Sequence, residues 1–265
     1  MNILVTGNKG FIGTHLQRVL TSHGHTVIGC DKKNGVDIFD PFVETQVKES
    51  DIVYHLAAQT SVNQSFENEG EVFRTNAIGT ARIVDWCVKY HKKLIFPSTA
   101  AVYFRNFSPY AQSKAVAEDI VWGVHKSIPV VILRLYNVFG PHMNPDSGSI
   151  MYTFVTDKSI NVYGDGEQTR DFIHVDDVVG ILGAAVLNKW NDMIVDVGTG
   201  QAHTINYIAS LFSFYRNLPI LYKNPRRETR WSIAETSLLR TLYKKPLMTD
   251  IPKQVKELVE YYGTH

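Results

Sequence analysis

The chain is poor in cysteine. Cys30 and Cys87 are the two it has in 265 residues, too few for a disulfide framework or a cysteine-rich metal site and more at home in a reducing compartment. It lacks a charge excess as well. Against 27 Lys and Arg stand 26 Asp and Glu, which argues against the basic footprint of a general nucleic-acid or membrane-surface binder. No apolar run approaches the ~18–20 residues that span a bilayer, and the opening Asn2-Ile3-Leu4-Val5-Thr6 carries neither the basic nor the apolar region of a signal peptide. The ten histidines are scattered without metal-ligand spacing. His23-Gly24-His25 brings two together, with no third ligand near in sequence and a polar turn as the simpler reading. These absences lead us to expect a cytoplasmic protein with no metal, no nucleic acid and no membrane partner. With 44% hydrophobic and 20% charged residues, the composition is that of a folded globular protein. The length suits one large domain or two small ones sharing a core.

What is present is an alternation. Ile3-Leu4-Val5, Thr26 to Gly29, Asp51 to His55, Leu94-Ile95-Phe96 and Val130 to Leu133 read as short buried strands. Between them, Phe11 to His23, Ala77 to Tyr90 and about Ser108 to Lys126 read as amphipathic helices. Strands separated by helices imply parallel βαβ units, and near-continuous apolar strands imply a sheet covered on both faces. The expected fold class is therefore α/β, a Rossmann-type doubly wound parallel sheet. After Pro141 the rhythm changes to turns, short strands (Ile160 to Tyr163, Met193 to Val197), helices (Asp176 to Asn188, Ile205 to Phe214) and basic loops. This predicts a nucleotide-binding domain over 1–141, with 170–197 returning to it, and a smaller interleaved substrate region over 142–169 and 198–265.

Three motifs carry chemistry. Gly7-Asn8-Lys9-Gly10-Phe11-Ile12-Gly13 follows the first strand and opens the first helix. Its glycines allow a tight turn, close approach of backbone to a pyrophosphate, and close helix–strand packing, and the helix N-terminus turns N–H groups toward the phosphates. A tight turn with no ligand is the plainer alternative. Asp31 ends the second strand 18 residues after Gly13. A carboxylate there accepts from adenosine ribose hydroxyls and repels a 2′-phosphate, favouring NAD over NADP; Lys32 and Lys33 beside it weaken that discrimination. Tyr110-Ala111-Gln112-Ser113-Lys114 puts a tyrosine and a lysine on one helix face. A neighbouring ammonium favours phenolate and lowers the tyrosine pKa, making Tyr110 a candidate general base or acid. Ser98-Thr99 ends the strand before that helix and can bring a hydroxyl beside the phenol. A surface Tyr and Lys is the alternative for that pattern met alone.

Taken in order, these and further segments resemble the extended short-chain dehydrogenase/reductases, in particular their NAD-dependent nucleotide-sugar epimerase/dehydratase group, of the UDP-glucose 4-epimerase type. The resemblance covers nearly the whole chain. It rests on Gly7-x-x-Gly10-x-x-Gly13, Asp37-Ile38, His55-Leu56-Ala57-Ala58-Gln59, Asn76-Ala77-Ile78-Gly79-Thr80, Ser98-Thr99-Ala100-Ala101-Val102-Tyr103, Tyr110-x-x-x-Lys114, Arg134-Leu135-Tyr136-Asn137-Val138-Phe139-Gly140-Pro141, and the run from Gly164 through Arg170-Asp171-Phe172 to Val178. It implies Thr99 as the catalytic hydroxyl, Tyr110 as the base, and Lys114 as the lysine that bonds the nicotinamide ribose and tunes it. It implies Phe11 and Ile12 under the pyrophosphate, Asp37 and Ile38 beside the adenine, and Leu56, Ala57, Ala58 and Asn76 along the cofactor. Asn137, Arg170 and Arg227, the last in Pro225-Arg226-Arg227-Glu228, match residues on the sugar-nucleotide diphosphate. Two guanidinium groups there would make forked, charge-assisted hydrogen bonds; a solvated basic loop is the alternative for Arg226, Arg227 and Arg230. For His55 and His174 the expected role is a satisfied histidine at a strand end.

The departures narrow the chemistry. Dehydratases and decarboxylases of the group carry acidic residues just after the catalytic hydroxyl, where this chain has Ala100 and Ala101. That favours epimerisation at C4 of a nucleotide-diphosphate sugar, with reduction of a 4-keto nucleotide sugar and a non-catalytic nucleotide-binding role as alternatives. The stretches between Asp31 and Asp37 and between Tyr103 and Tyr110 are short for the group, implying a trimmed pocket. The resemblance also implies a homodimer through the helices near Ala77–Tyr90 and Ser108–Lys126, with Ile78, Ile83, Val84, Trp86, Val116, Ile120, Val121 and Trp122 as apolar material that the core could equally claim.

Overall fold

Six short aliphatic runs line up as one sheet in the computed structural model, which describes residues 1–263 apart from 189 and 227. Along the chain these elements are β1 (Asn2–Thr6), α1 (Phe11–Ser22), β2 (Thr26–Cys30), α2 (Phe42–Glu49), β3 (Ile52–His55), α3 (Val62–Glu67), α4 (Glu69–Phe73), α5 (Gly79–Lys89), β4 (Lys93–Thr99), α6 (Pro109–Gly123) and β5 (Val130–Leu135), with Met193–Val197 as the sixth strand. Across the sheet the order is Met193–Val197, β5, β4, β3, β1, β2. β1 pairs in parallel with both β2 and β3, and β3 with β4. The order therefore reverses beside β1, and ligands of such sheets bind outside the strand carboxyl ends at that switch. Register makes the consequence concrete. Thr6 stands opposite Cys30 on one side and His55 on the other, so Gly7, Asp31 and Leu56 leave the sheet side by side.

One face of the sheet is covered by α2, α5 and α6. Val43 and Val47, then Ile83, Val84, Trp86 and Cys87, then Ala117 and Val121 pack on Leu4, Val53, Leu94, Phe96, Val130 and Ile132. The core thus claims Ile83, Val84, Trp86 and Val121, whereas Ile78 stays 60% and Val116 38% exposed. The helix expected from Ala77 starts regularly only at Gly79, after a wide π turn over Arg74–Ile78. Cys30 and Cys87 are free and buried, and burial pushes both thiols up to about 12; they are core residues with no thiolate chemistry. The short stretch after Asp31 is a single 3-10 turn, Lys32–Asn34, closed by Gly35. It contains no strand, which leaves β2 at the sheet edge.

The chain folds as two units. Met1–Arg134 and Val179–Val195 make the first; Leu135–Val178 and the chain from Asp196 onward make the second. The boundaries read from the sequence therefore move: residues 135–141, 170–178 and 196–197 belong to the second unit. The cause is pairing that the sequence does not announce. Asn137–Phe139 runs parallel to Phe172–His174, Asn137 opposite Phe172 and Phe139 opposite His174, and the Asn137 N–H donates to the Asp171 carbonyl at 3.1 Å. In the second unit Thr169–Arg170 also pairs with His203–Thr204 and Trp231–Ser232, and Ile160–Tyr163 with Ile220–Lys223. Among the described residues no helix is long and apolar enough to cross a membrane, and no cluster of three or more His, Cys, Asp or Glu could hold a metal ion.

Candidate active site

The glycine loop is built for a backbone-lined cradle. Gly7 has φ +72°, and a Cβ there would lie 2.8 Å from the Ala57 nitrogen. A Cβ on Gly13 would come within 2.8 Å of the Asn8 Cα and closer still to the Gly7 carbonyl, so only glycine lets α1 start this close to the loop. The loop closes on itself by Gly10 N–H to the Gly7 carbonyl at 3.0 Å. Gly10 caps α1 with no side-chain hydrogen bond, and the first turn has no acidic residue. The helix thus presents N–H groups without a side-chain partner at its positive end, the chemistry a diphosphate satisfies. Phe11 and Ile12, half-buried, stand at that end.

Asp31 is held in place from two sides. Its carboxylate accepts the Lys9 N–H at 3.0 Å and the Lys33 N–H at 2.9 Å. The two lysines that clouded its meaning in sequence are already engaged. Lys32 pairs with Asp37 at 3.2 Å and Glu71 at 3.8 Å, and the Lys33 ammonium donates to the Lys9 carbonyl at 3.4 Å. Next to Asp31 the balance opposes a 2′-phosphate and suits bare ribose hydroxyls. For Asp37, burial raises the carboxyl, but the Phe39 N–H and the Lys32 ammonium together hold it below its usual range. The Ile38 side chain is 4% exposed and packs into the core.

Leu56, Ala57 and Ala58 continue β3 and are half-buried. Asn76 is buried behind them. Its amide donates to the Gln59 carbonyl at 3.0 Å and to Ser113 Oγ at 3.0 Å, and its oxygen accepts the Gln59 N–H at 2.8 Å. Asn76 therefore shapes the loop after β3 rather than offering a free amide to a ligand.

Thr99 meets Tyr110, and Lys114 stands one turn beyond Tyr110 on the same helix. Thr99 ends β4 and its Oγ accepts the Ala101 N–H at 3.2 Å, which aims the hydroxyl proton elsewhere; the hydroxyl hydrogen-bonds the Tyr110 phenol. Ser108 caps α6 by accepting the Ala111 N–H at 3.1 Å, with Pro109 in the first turn, and this sets the turn on which Tyr110 stands. One turn on, Lys114 is 4% exposed. Its ammonium donates to the Pro97 carbonyl at 3.1 Å and lies 4.0 Å from the centre of the Phe96 ring. Burial lowers Lys114 to about 7, with Glu118 pulling the other way. The tyrosine corrects an expectation. Burial raises the Tyr110 phenol above its ordinary value and outweighs the Thr99 hydrogen bond that lowers it; the lysine does not depress it, because the ammonium turns to Pro97 and Phe96. Ser98, 5% exposed, has a buried Oγ with no hydrogen-bond partner. An orphaned hydroxyl at the end of β4 and a cradle that a Cβ would fill are what a bound dinucleotide completes.

In the second unit Arg170 is largely buried. It donates to the Thr169 carbonyl at 2.8 Å and forms an ion pair with Glu228, whose other oxygen accepts the Gln168 amide at 3.1 Å. Burial lowers the Arg170 pKa against the pull of Glu228. Asp171 beside it is fully buried and saturated by the Thr199 N–H and O–H, the Gly200 N–H and the Ala234 N–H, at 2.7–3.2 Å. Asn137 donates its amide to the Asp171 carbonyl at 2.9 Å. Arg226 lies over the Tyr163 ring, and Arg230 grips both oxygens of Asp165 at 2.8 and 2.9 Å. Arg227, expected to reach the diphosphate, lies outside the described residues. Glu228 and Asp171 were not singled out in sequence; 58 residues separate Glu228 from its arginine. Glu118 could have been found, because it continues the Tyr110–Lys114 face by one more turn, where it takes Arg134 in a fork at 2.7–3.1 Å.

Comparison with known proteins agrees with this geometry. The NAD dependent epimerase/dehydratase family matches residues 3–198, and the chain belongs to that family. Among curated relatives, the UDP-N-acetyl-alpha-D-glucosaminuronate decarboxylase of Bacillus cytotoxicus is 31% identical over 78% of this chain and 77% of its own. The uncharacterized UDP-glucose epimerase YtcB of Bacillus subtilis is 30% identical over 80% and 81%. Among solved structures, MoeE5 in complex with UDP-glucose and NAD superposes with a TM-score of 0.90 at 26% identity, covering 100% of this chain and 99% of that one. The protein is thus an enzyme of the NAD-dependent nucleotide-sugar epimerase/dehydratase class, and its cofactor is NAD.

Proposed function

We propose that the protein epimerises a nucleotide-diphosphate sugar at C4 through a transient 4-keto sugar. The observation that carries the proposal is the Thr99–Tyr110–Lys114 constellation followed by Ala100 and Ala101. It holds a complete set for moving one hydroxyl proton and no extra acid or base for eliminating water. NAD, when bound, supplies a nicotinamide that takes hydride from the sugar and returns it. Tyr110 accepts the C4 hydroxyl proton as that hydride leaves, and gives it back when the other face of the ketone is reduced. Thr99 bonds the same oxygen and limits its movement while the proton is on the phenol. Because burial raises the phenol, the Tyr110 phenolate forms readily only with a cation turned to it, and Lys114 is the cation one turn away. In the second unit Arg170 supplies a guanidinium for the substrate diphosphate, with Asn137 beside it.

Proton NMR of the purified protein with a panel of UDP-, dTDP- and GDP-hexoses tests the reading. A new anomeric signal at catalytic NAD, with no net change in nicotinamide absorbance, is the expected result. Consumption of NADH with a 4-keto sugar alone would move the protein to the reductases, and NAD binding without turnover of any sugar would make it a non-catalytic member.

A further inference from the structure

We propose that His55 is a positioning residue for the active site: a neutral imidazole fixed in one tautomer that ties the end of β3 to the helix carrying Tyr110 and Lys114. The direction of each hydrogen bond follows from the number of protons available. Thr80 has one hydroxyl proton and gives it to the Asn76 carbonyl at 2.6 Å. Toward His55 Nε2, 3.0 Å away, Thr80 can then only accept, so Nε2 carries the ring proton. Nδ1 is left bare and takes the Thr6 hydroxyl proton at 2.7 Å. Thr6 Oγ in turn accepts the Ala57 N–H at 3.1 Å. The chain runs one way, from Ala57 through Thr6, His55 and Thr80 to Asn76. The Asn76 amide carries it on to Ser113, whose hydroxyl donates to the Tyr110 carbonyl at 2.8 Å.

The side-chain links are deep in the protein: Thr6 is 0%, and His55, Thr80 and Asn76 are 1% exposed. No water can replace a lost link cheaply, so an orphaned group here is costly. The imidazole is also kept neutral by its surroundings. It stacks on Phe96 at 5.9 Å between ring centres, and the Lys114 ammonium sits against the same phenyl ring. Burial lowers His55 to about 3, and the Lys114 charge adds to the effect. A proton on Nδ1 would meet the Thr6 hydroxyl proton head-on and put a second cation beside Lys114. Glu118 could not offset it, since Arg134 already holds that carboxylate. The motif residue His55 thus does more than fill a strand end: one uncharged ring can accept from β1 and donate to α5 at once, joining the wall along which the cofactor is expected to lie to the catalytic helix.

The test begins without any substrate. In the wild-type protein labelled with 15N-histidine, long-range proton–nitrogen correlation is expected to show one neutral Nε2–H imidazole that does not titrate between about pH 5 and 8; its signal should vanish in His55→Gln. The opposite tautomer, or titration within that range, overturns the proposal. NAD affinity, followed by quenching of tryptophan fluorescence, is expected to weaken on the order of tenfold in His55→Leu and in Thr80→Val, and to return to within about threefold of wild type in His55→Gln, which keeps one acceptor and one donor. NAD affinity unchanged in folded His55→Leu and Thr80→Val also overturns it. If His55→Leu does not fold, Thr80→Val and the wild-type spectrum decide the matter. These readouts need no sugar, so they stand or fall separately from the proposed epimerase activity. Where a sugar is turned over, the same variants should lose kcat with KM for that sugar unchanged; loss in KM alone counts against the proposal.

Discussion

The polar groups of the two units are organised on opposite principles. In the first unit they are buried, largely neutral, and joined by hydrogen bonds from one element to the next: Thr6, His55, Thr80, Asn76 and Ser113, with Lys114 as a nearly dry cation. In the second unit the working groups are charges held by opposite charges, one pair largely buried and the other exposed. Arg170 is paired with Glu228, and Arg230 with Asp165, whose side chains are 53% and 57% exposed. The difference follows from the task proposed for each. Moving a proton requires groups fixed in position with shifted pKa values, and only a dry setting fixes and shifts them. Holding a diphosphate requires guanidinium charge, and a guanidinium already paired with a carboxylate can exchange that anion for another.

The contrast can be broken from the first unit. Tyr110→Phe removes the proton acceptor and keeps the ring, so turnover should fall by about 10³-fold or more, within the range of general acid–base catalysis. NAD binding, read by fluorescence, should stay within about threefold. Equal loss of both would mean the phenol is structural. Lys114 gives the next largest effect, on stability. Its folded pKa of about 7 lies below the ordinary lysine value of 10.5. Between the two, the folded state binds fewer protons than the unfolded one, so this group's contribution to stability rises with pH across that window. Below about 7 the full penalty of a buried ammonium applies. Lys114→Met should therefore stabilise the NAD-free protein at pH 6 by on the order of a few kcal/mol and flatten the rise toward pH 10. Urea unfolding across pH measures both, and an unchanged slope would show that the ammonium is not desolvated.

The second unit sharpens the comparison with smaller effects. Arg170→Met should raise KM for the nucleotide sugar about 10- to 100-fold with kcat changed only a few-fold, the signature of a charge that binds without entering the chemistry. A matching fall in kcat would bring Arg170 into the reaction. Arg230→Ala should leave the thermal unfolding midpoint almost unchanged, because its ion pair is exposed and screened by solvent. A clear fall would mean that the Asp165 loop depends on that pair.

Much of the sheet could be read in advance, because strand ends and helix starts carry local signals. Ile160–Tyr163 and Met193–Val197 fall where their β-branched runs end, and Phe11 opens its helix after Gly10. Ser108-Pro109 marks the start of the helix that presents Tyr110 and Lys114, and i,i+4 spacing alone puts those two on one face. The boundary between units was not legible, because it depends on Asn137–Phe139 choosing Phe172–His174 as partner. The Tyr110 pKa was not legible either. Spacing brings an ammonium near the phenol, but where the ammonium points and how dry the phenol is are properties of packing.

By itself the sequence determined the order of strands and helices, the glycine loop, the acidic end of β2 and the Thr99, Tyr110 and Lys114 set, because each rests on a short segment that carries its own local pattern. Only the tertiary structure decided that Lys32 is spent on Asp37 and Glu71, that Glu228 meets Arg170, that Ile38 belongs to the core, and that His55 stands between Thr6 and Thr80. Those partners lie on different elements. What joins them is burial, which obliges every polar group removed from water to find another wherever in the chain it lies.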